Sequence, residues 1–203
     1  MSGPTGGISG KKVTGMEEPK EQIKIFHTDE TSESQEQEDF HSLVLDLVRQ
    51  KDNGNLEKAR QLGAILAAEV ESDDGEFVFG DASAEENHDL VLQRRLLLAF
   101  VIDHGLNVFC PNSIITEIAS SSFYETIQED APGIYEDIRE NGAFSYYLLC
   151  VRNGDRIDEE IGATFADLIG HKGDHVYQEL GTALYLRFMD VVGQKVKELG
   201  FVG

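Results

Sequence analysis

A chain of 203 residues carries 38 acidic against 17 basic side chains, a formal charge of −21. That balance argues against a nucleic-acid partner, because a phosphate backbone is met by clustered Lys and Arg that displace its counterions, and no basic run is present. The same sign argues against anionic membrane surfaces, and the longest apolar run, around Leu96–Ile102, falls far short of the ~20 residues that span a bilayer.

The opening residues Met1, Ser2, Gly3 and Pro4 have neither the basic region nor the apolar region of a secretory signal. Cys110 and Cys150 sit among apolar neighbours, as buried free thiols do. Both features point to the cytoplasm. The sequence leaves open whether the two cysteines pair, since their separation in space decides it.

Residues 1–36 read as a disordered acidic tail and 37–203 as one helical domain. Five glycines fall in the first 15 residues, and Thr28–Asp39 holds no apolar side chain, so neither stretch can offset the entropy of ordering. Between them Ile23, Ile25 and Phe26 form a short alternating segment that can add a strand or dock in a groove.

From Phe40 the pattern changes. Phe40, Leu43, Val44, Leu47 and Val48 follow the spacing that lays one apolar stripe along a helix. Lys51-Asp52-Asn53-Gly54 supplies a turn, and Leu56, Ala59, Leu62, Gly63, Leu66 and Val70 repeat the stripe. The two helices are expected to pack as an antiparallel hairpin. Phe77-Val78-Phe79, between Gly75 and Gly80, reads as a short extended piece that could pair with Ile23–Phe26.

Ser83-Ala84-Glu85-Glu86 has capping-box spacing and predicts the start of a long helix through Leu90, Leu96–Leu98, Phe100, Val101 and Ile102 to Gly105. Apolar on most faces, it is the candidate central helix. Arg94 and Arg95 are expected to mark its one solvent-facing side. Pro111-Asn112-Ser113 opens a fourth helix that runs through Ser120–Ser122 and ends at Ala131-Pro132-Gly133. The next segment splits at Asn141-Gly142, and 143–151, ambiguous between strand and helix, is taken as helix. Asp155, Asp158, Glu159 and Glu160 favour a following helix N-terminus, which Gly170 ends. Asp174 caps the last helix, with Lys195, Lys197 and Gly200 at its far end. The fold class is all-α, a compact bundle-like body of six to seven helices.

Gln61-Leu62-Gly63-Ala64, Glu160-Ile161-Gly162-Ala163 and Glu179-Leu180-Gly181-Thr182 share a form at unequal spacing, which argues against a solenoid. Close helix packing at each glycine explains the recurrence. Leu180-Gly181 and Tyr185 resemble the tetratricopeptide consensus over too short a stretch to carry a fold or a function.

The strongest chemical pattern is Asp167, His171, His175 and Glu179, spaced by four. His171, His175 and Glu179 are the candidate ligands for a divalent metal such as zinc or iron. Gly170 and Gly173 are expected to break the helix beside His171, which leaves His175 and Glu179 on a shared face. Glu38 with His41, and Glu85 with His88, have the Glu-x-x-His spacing of di-iron bundles, but fall in first turns where capping also explains them. His104 beside Asp103 is expected to favour its charged form at a helix C-terminus. Ser120–Ser122 and the cysteines lack a nucleophile elbow, and no phosphate-binding loop is present. No cofactor is indicated and no catalytic residue can be assigned. The expectation is a non-catalytic module acting on a protein partner, with a metal-dependent role for His171, His175 and Glu179 as the alternative. An acidic mimic of nucleic acid ranks behind both. The sequence does not give the oligomeric state.

Overall fold

A computed structural model describes residues 30–72 and 84–202, with side-chain surroundings for 40–72 and 88–202. Among the described residues there are eight α-helices and no strand: α1 Glu30–Asp52, α2 Asn55–Ser72, α3 Ala84–Phe109, α4 Ser113–Asp130, α5 Pro132–Glu140, α6 Ala143–Asn153, α7 Ile157–Leu168 and α8 His175–Leu199. The count exceeds six or seven because both pieces of the segment split at Asn141-Gly142 are complete helices, α5 and α6. The chain divides into two units, Met1–His41 and Ser42–Gly203; the packing described below belongs to the second.

Helix α3 is the axis of that unit. Leu96–Ile102 and Leu106 are all buried, and α3 touches α2 and each of α4 to α8. Around it α2 lies along α4, and α7 along α8. Glycines set both approaches. A Cβ on Gly63 would stand 2.6 Å from the backbone nitrogen of Phe123, and one on Gly181 would stand 3.0 Å from Cα of Gly162. Ordinary side chains would hold these axes apart, so the recurring glycine motif is a packing device, as its unequal spacing implied. Phe123, Ile127, Leu62 and Leu66 fill one seam, and Ile161, Phe165, Leu184 and Phe188 the other. Each such fully buried side chain contributes about 1.5–3 kcal/mol.

Several termini form as the sequence implies. Asn112 caps α4, its Oδ1 accepting from the Ile115 amide at 3.1 Å. Pro132 occupies the first turn of α5, where its missing N–H costs nothing. Asp174 caps α8 through the Val176 amide at 2.9 Å. Segment 143–151 is helical within α6, with Ala143, Tyr147 and Cys150 buried.

Four expectations need correction. First, α1 and α2 do not form a packed hairpin: α2 spends its stripe on α4 and α3, and α1 has no extended contact with another helix among the described residues. Leu43, Val44, Leu47 and Val48 are 55, 38, 43 and 49 % exposed. Second, α1 begins at Glu30, inside the stretch without apolar residues. Glu and Gln are strong helix formers, acids favour a helix N-terminus, and extending a formed helix escapes the cost of nucleation. Third, Arg94 is buried rather than solvent-facing, with its guanidinium 5.7 Å from the centre of the Phe188 ring, a favourable placement for a cation. Fourth, α3 continues past Gly105 to Phe109. Gly105 is buried against Val192, whose Cγ1 would lie 2.9 Å from an added Cβ; it serves packing, not termination. The expectations for Ile23–Phe26, for Phe77–Phe79 and for Ser83 as a cap lie outside the described residues.

Asn55 closes the unit. Its fully buried amide imitates a peptide group: Nδ2 donates to the Val202 carbonyl at 2.7 Å, and Oδ1 accepts from the Val202 amide at 3.0 Å. Nδ2 also donates to Gln50, the one buried residue of α1's last turns, and Lys58 donates to the Gly200 carbonyl at 2.7 Å.

Candidate functional site

Beside the close approach of α7 and α8 at Gly162 and Gly181 lies an open groove of about 570 Å³. Glu159 and Ala163 form the α7 wall; His175, Gln178, Glu179, Thr182 and Leu186 come from α8 at helical spacing. Thr182 crosses between the walls, its hydroxyl donating to the Asp158 carbonyl at 3.1 Å. Glu159 is paired with Arg156 at 3.1 Å.

Of the residues singled out for metal binding, His175 and Glu179 share this groove as the four-residue spacing implies. His171 is held elsewhere. Gly170 and Gly173, both at φ +79°, carry the chain around the turn, and the His171 ring stacks on Tyr177 with centroids 3.8 Å apart. Asp167 pairs with Lys172 at 3.0 Å. Among the described residues no group of three or more His, Cys, Asp or Glu side chains is placed to hold a metal ion. His41 and His88 are exposed, and the side chains of Glu38 and Glu85 lie outside the described residues.

A second groove, of about 580 Å³, lies where the end of α3 meets α8, between Phe109, Met189, Asp190, Gln194 and Lys197. Sequence reading gave no sign of it, because its walls are some 80 positions apart in the chain.

The serine run turns out to be structural. Ser120 donates to the Asp103 carboxylate at 3.2 Å, and Ser122 to the Arg60 carbonyl at 3.0 Å, so these hydroxyls tie α4 to α3 and α2. Burial and the same Asp103 carboxylate push the Tyr124 phenol well above its ordinary range. His104 does not favour its charged form: burial lowers its pKa, and the opposing pull of Asp103 is the smaller effect. Its ring lies parallel to that of Phe100, centroids 6.1 Å apart. Both cysteines are free, and burial pushes the Cys110 thiol up to about 11 despite a hydrogen bond with Thr116.

The remaining feature is apolar surface. Besides the α1 stripe, α6 turns Tyr146, Leu148 and Leu149 outward, at 56, 44 and 54 % exposure. The α6 face is visible in sequence only as an apolar run, since nothing local says which of its members α3 and α7 will cover. No protein-family model matches the chain, and no curated protein or solved structure matches it significantly. No helix among the described residues is long and apolar enough to cross a membrane.

Proposed function

We propose that the protein is a non-catalytic interaction module that binds other polypeptides through apolar helix faces. The observation that supports this reading is a closed core with apolar side chains left over: α1 and α6 expose Leu43, Val44, Leu47, Val48, Tyr146, Leu148 and Leu149. Large apolar side chains left exposed on helices suit a protein partner. The excess of acid over base favours a partner other than nucleic acid, and two free thiols suit the reducing cytoplasm. The metal-based alternative has two of its three residues on one groove wall and the third stacked on Tyr177, so it is the weaker reading.

The test is affinity capture by the full chain, with Leu43→Asp/Leu47→Asp and Leu148→Ser/Leu149→Ser as controls. A protein lost with one face variant, and rebound from purified components at fixed stoichiometry, supports the reading. A turnover activity that survives both variants, with no partner dependent on either face, overturns it.

A further inference from the structure

We infer that Asn141 is a site of spontaneous modification, at which the side-chain amide converts to the carboxylate of aspartate or isoaspartate, and that the fold selects it over the other Asn-Gly pairs of the chain. This goes beyond the binding role proposed above, since it needs no partner.

An asparagine followed by glycine is thermolabile because no Cβ on the glycine shields the main-chain nitrogen between them. Once that nitrogen gives its proton to hydroxide, it attacks the side-chain carbon Cγ. A new N–Cγ bond closes a five-membered imide, and the Cγ–Nδ2 bond breaks, Nδ2 leaving as ammonia with a proton from solvent. Water then opens the ring. Attack of water at the side-chain carbonyl gives aspartate; attack at the main-chain carbonyl gives isoaspartate, in which the chain runs through the former side chain. No oxidation or reduction is involved, so solvent is the only co-reactant.

The sequence holds three such pairs, Asn53-Gly54, Asn141-Gly142 and Asn153-Gly154, and the dipeptide alone ranks them equally. The fold separates them. At Asn53 the attacking nitrogen is engaged, since the Gly54 N–H donates to the Lys51 carbonyl at 3.0 Å. Both polar atoms of the Asn53 side chain are held as well: Oδ1 accepts from the Asn55 amide at 3.2 Å, and Nδ2 donates to the Val202 carbonyl at 3.4 Å. Asn153, in the last turn of α6, has its Nδ2 donating to Glu160 at 3.4 Å.

Asn141 is arranged the other way. Its backbone is extended between α5 and α6, at φ −79° and ψ 130°, and Gly142 is exposed. Neither the Gly142 N–H nor the Asn141 Nδ2 has an acceptor among the described residues, so the nucleophile and the leaving group are both unencumbered. Oδ1, where negative charge gathers as Cγ is attacked, accepts from the Ala143 N–H at 3.0 Å. That donor opens α6, so the positive end of the helix faces the developing oxyanion.

The test is peptide mapping by mass spectrometry of the full chain, incubated at mildly alkaline pH and body temperature, both native and in concentrated urea. In the native chain Asn141 is expected to convert fastest, and Asn53 about 100-fold more slowly, because three hydrogen bonds must open first. In urea the three rates are expected to converge. In Gly142→Ala the new methyl meets only Tyr146, at 3.9 Å, so the circular dichroism stays that of wild type. Conversion at position 141 in that variant slows at least about tenfold, with Asn53 and Asn153 unchanged. No conversion at Asn141, an Asn53 or Asn153 that converts as fast in the native chain, or a native ranking that persists unaltered in urea overturns the inference.

Discussion

Replacing Gly63 by alanine asks whether α2 and α4 are held at backbone contact. In an exposed helix interior the change would stabilise by about 1 kcal/mol, because alanine loses less conformational freedom on folding. Here the new Cβ would stand 2.6 Å from the Phe123 nitrogen and 2.7 Å from Ser122 Cβ, with the Ala119 carbonyl oxygen closer still. Apolar heavy atoms in contact ordinarily sit about 4 Å apart, so the helices must part by about 1 Å. Overpacking costs about 1–3 kcal/mol, and the upper end applies because two of the three obstructing atoms are backbone and cannot rotate aside. After the helix-propensity gain, the net loss is about 2 kcal/mol, or a fall of about 4–8 °C in Tm for a chain of this size. Gly193→Ala is the matched control. Its Cβ would meet the Phe109 ring at 3.4 Å, close to ordinary contact, so the intrinsic gain survives and Tm rises by about 1–3 °C. Urea and thermal denaturation followed by circular dichroism read both variants. A Gly63→Ala protein as stable as wild type would refute the close approach, and with it the packing account of the recurring glycine motif.

Asn55→Ala removes both hydrogen bonds to Val202 and the partner of the buried Gln50 amide, and should cost about 2–3 kcal/mol in urea unfolding; a loss below about 0.5 kcal/mol would discard the latch. For His104, whose pKa is lowered by burial, the contribution to stability is fully present above the unfolded value of 6.5 and is lost as pH falls through the folded one. The urea midpoint should therefore drop between about pH 7.5 and about pH 5 by less in His104→Gln than in wild type, and equal drops would contradict the assignment. With its thiol at about 11, Cys110 should be alkylated by iodoacetamide at a rate that keeps rising through about pH 10 without a plateau; saturation near pH 8.5 would show an ordinary thiol. The same upward shift adds stability below the unfolded thiol range that fades as pH rises from about 9 to about 11. Equimolar zinc should leave Tm within about 1 °C, since His175 and Glu179 share the groove without His171, and a rise of several degrees abolished by His175→Ala would revive the metal reading.

Much of the helical order is legible because its causes are local. An all-round apolar segment can satisfy itself only at the centre, and α3 is there. Asn112, Pro132, Asn141-Gly142 and the glycines around His171 act on the backbone within a few residues of themselves, so they break or cap the chain wherever it folds. What sequence could not supply depends on distant partners. Gly105 has the composition of a cap but faces Val192 of α8, and a glycine in a helix pattern looks the same in either role. Arg94 is buried against the Phe188 ring of a helix distant in the chain, and Asn55 because Val202 offers a peptide group. The candidate grooves have the same limit: His175 and Glu179 could be placed on one face, but not the Glu159 and Ala163 wall opposite.

The case of α1 and α2 shows why a stripe is not yet a core. Both carry apolar residues at the same spacing, joined by one turn, and periodicity treats them alike. They differ in a small residue: α2 has Gly63 at the centre of its face, which lets α4 close to backbone contact, whereas α1 presents only bulky Leu, Val and Phe. The stripe of α2 packs mainly on α4, with further contacts to α8 and α3, and α1 takes no part in that packing. A row of large apolar side chains outside the chain's own core carries a cost in solubility, and contacts with a partner, as proposed above, would offset it.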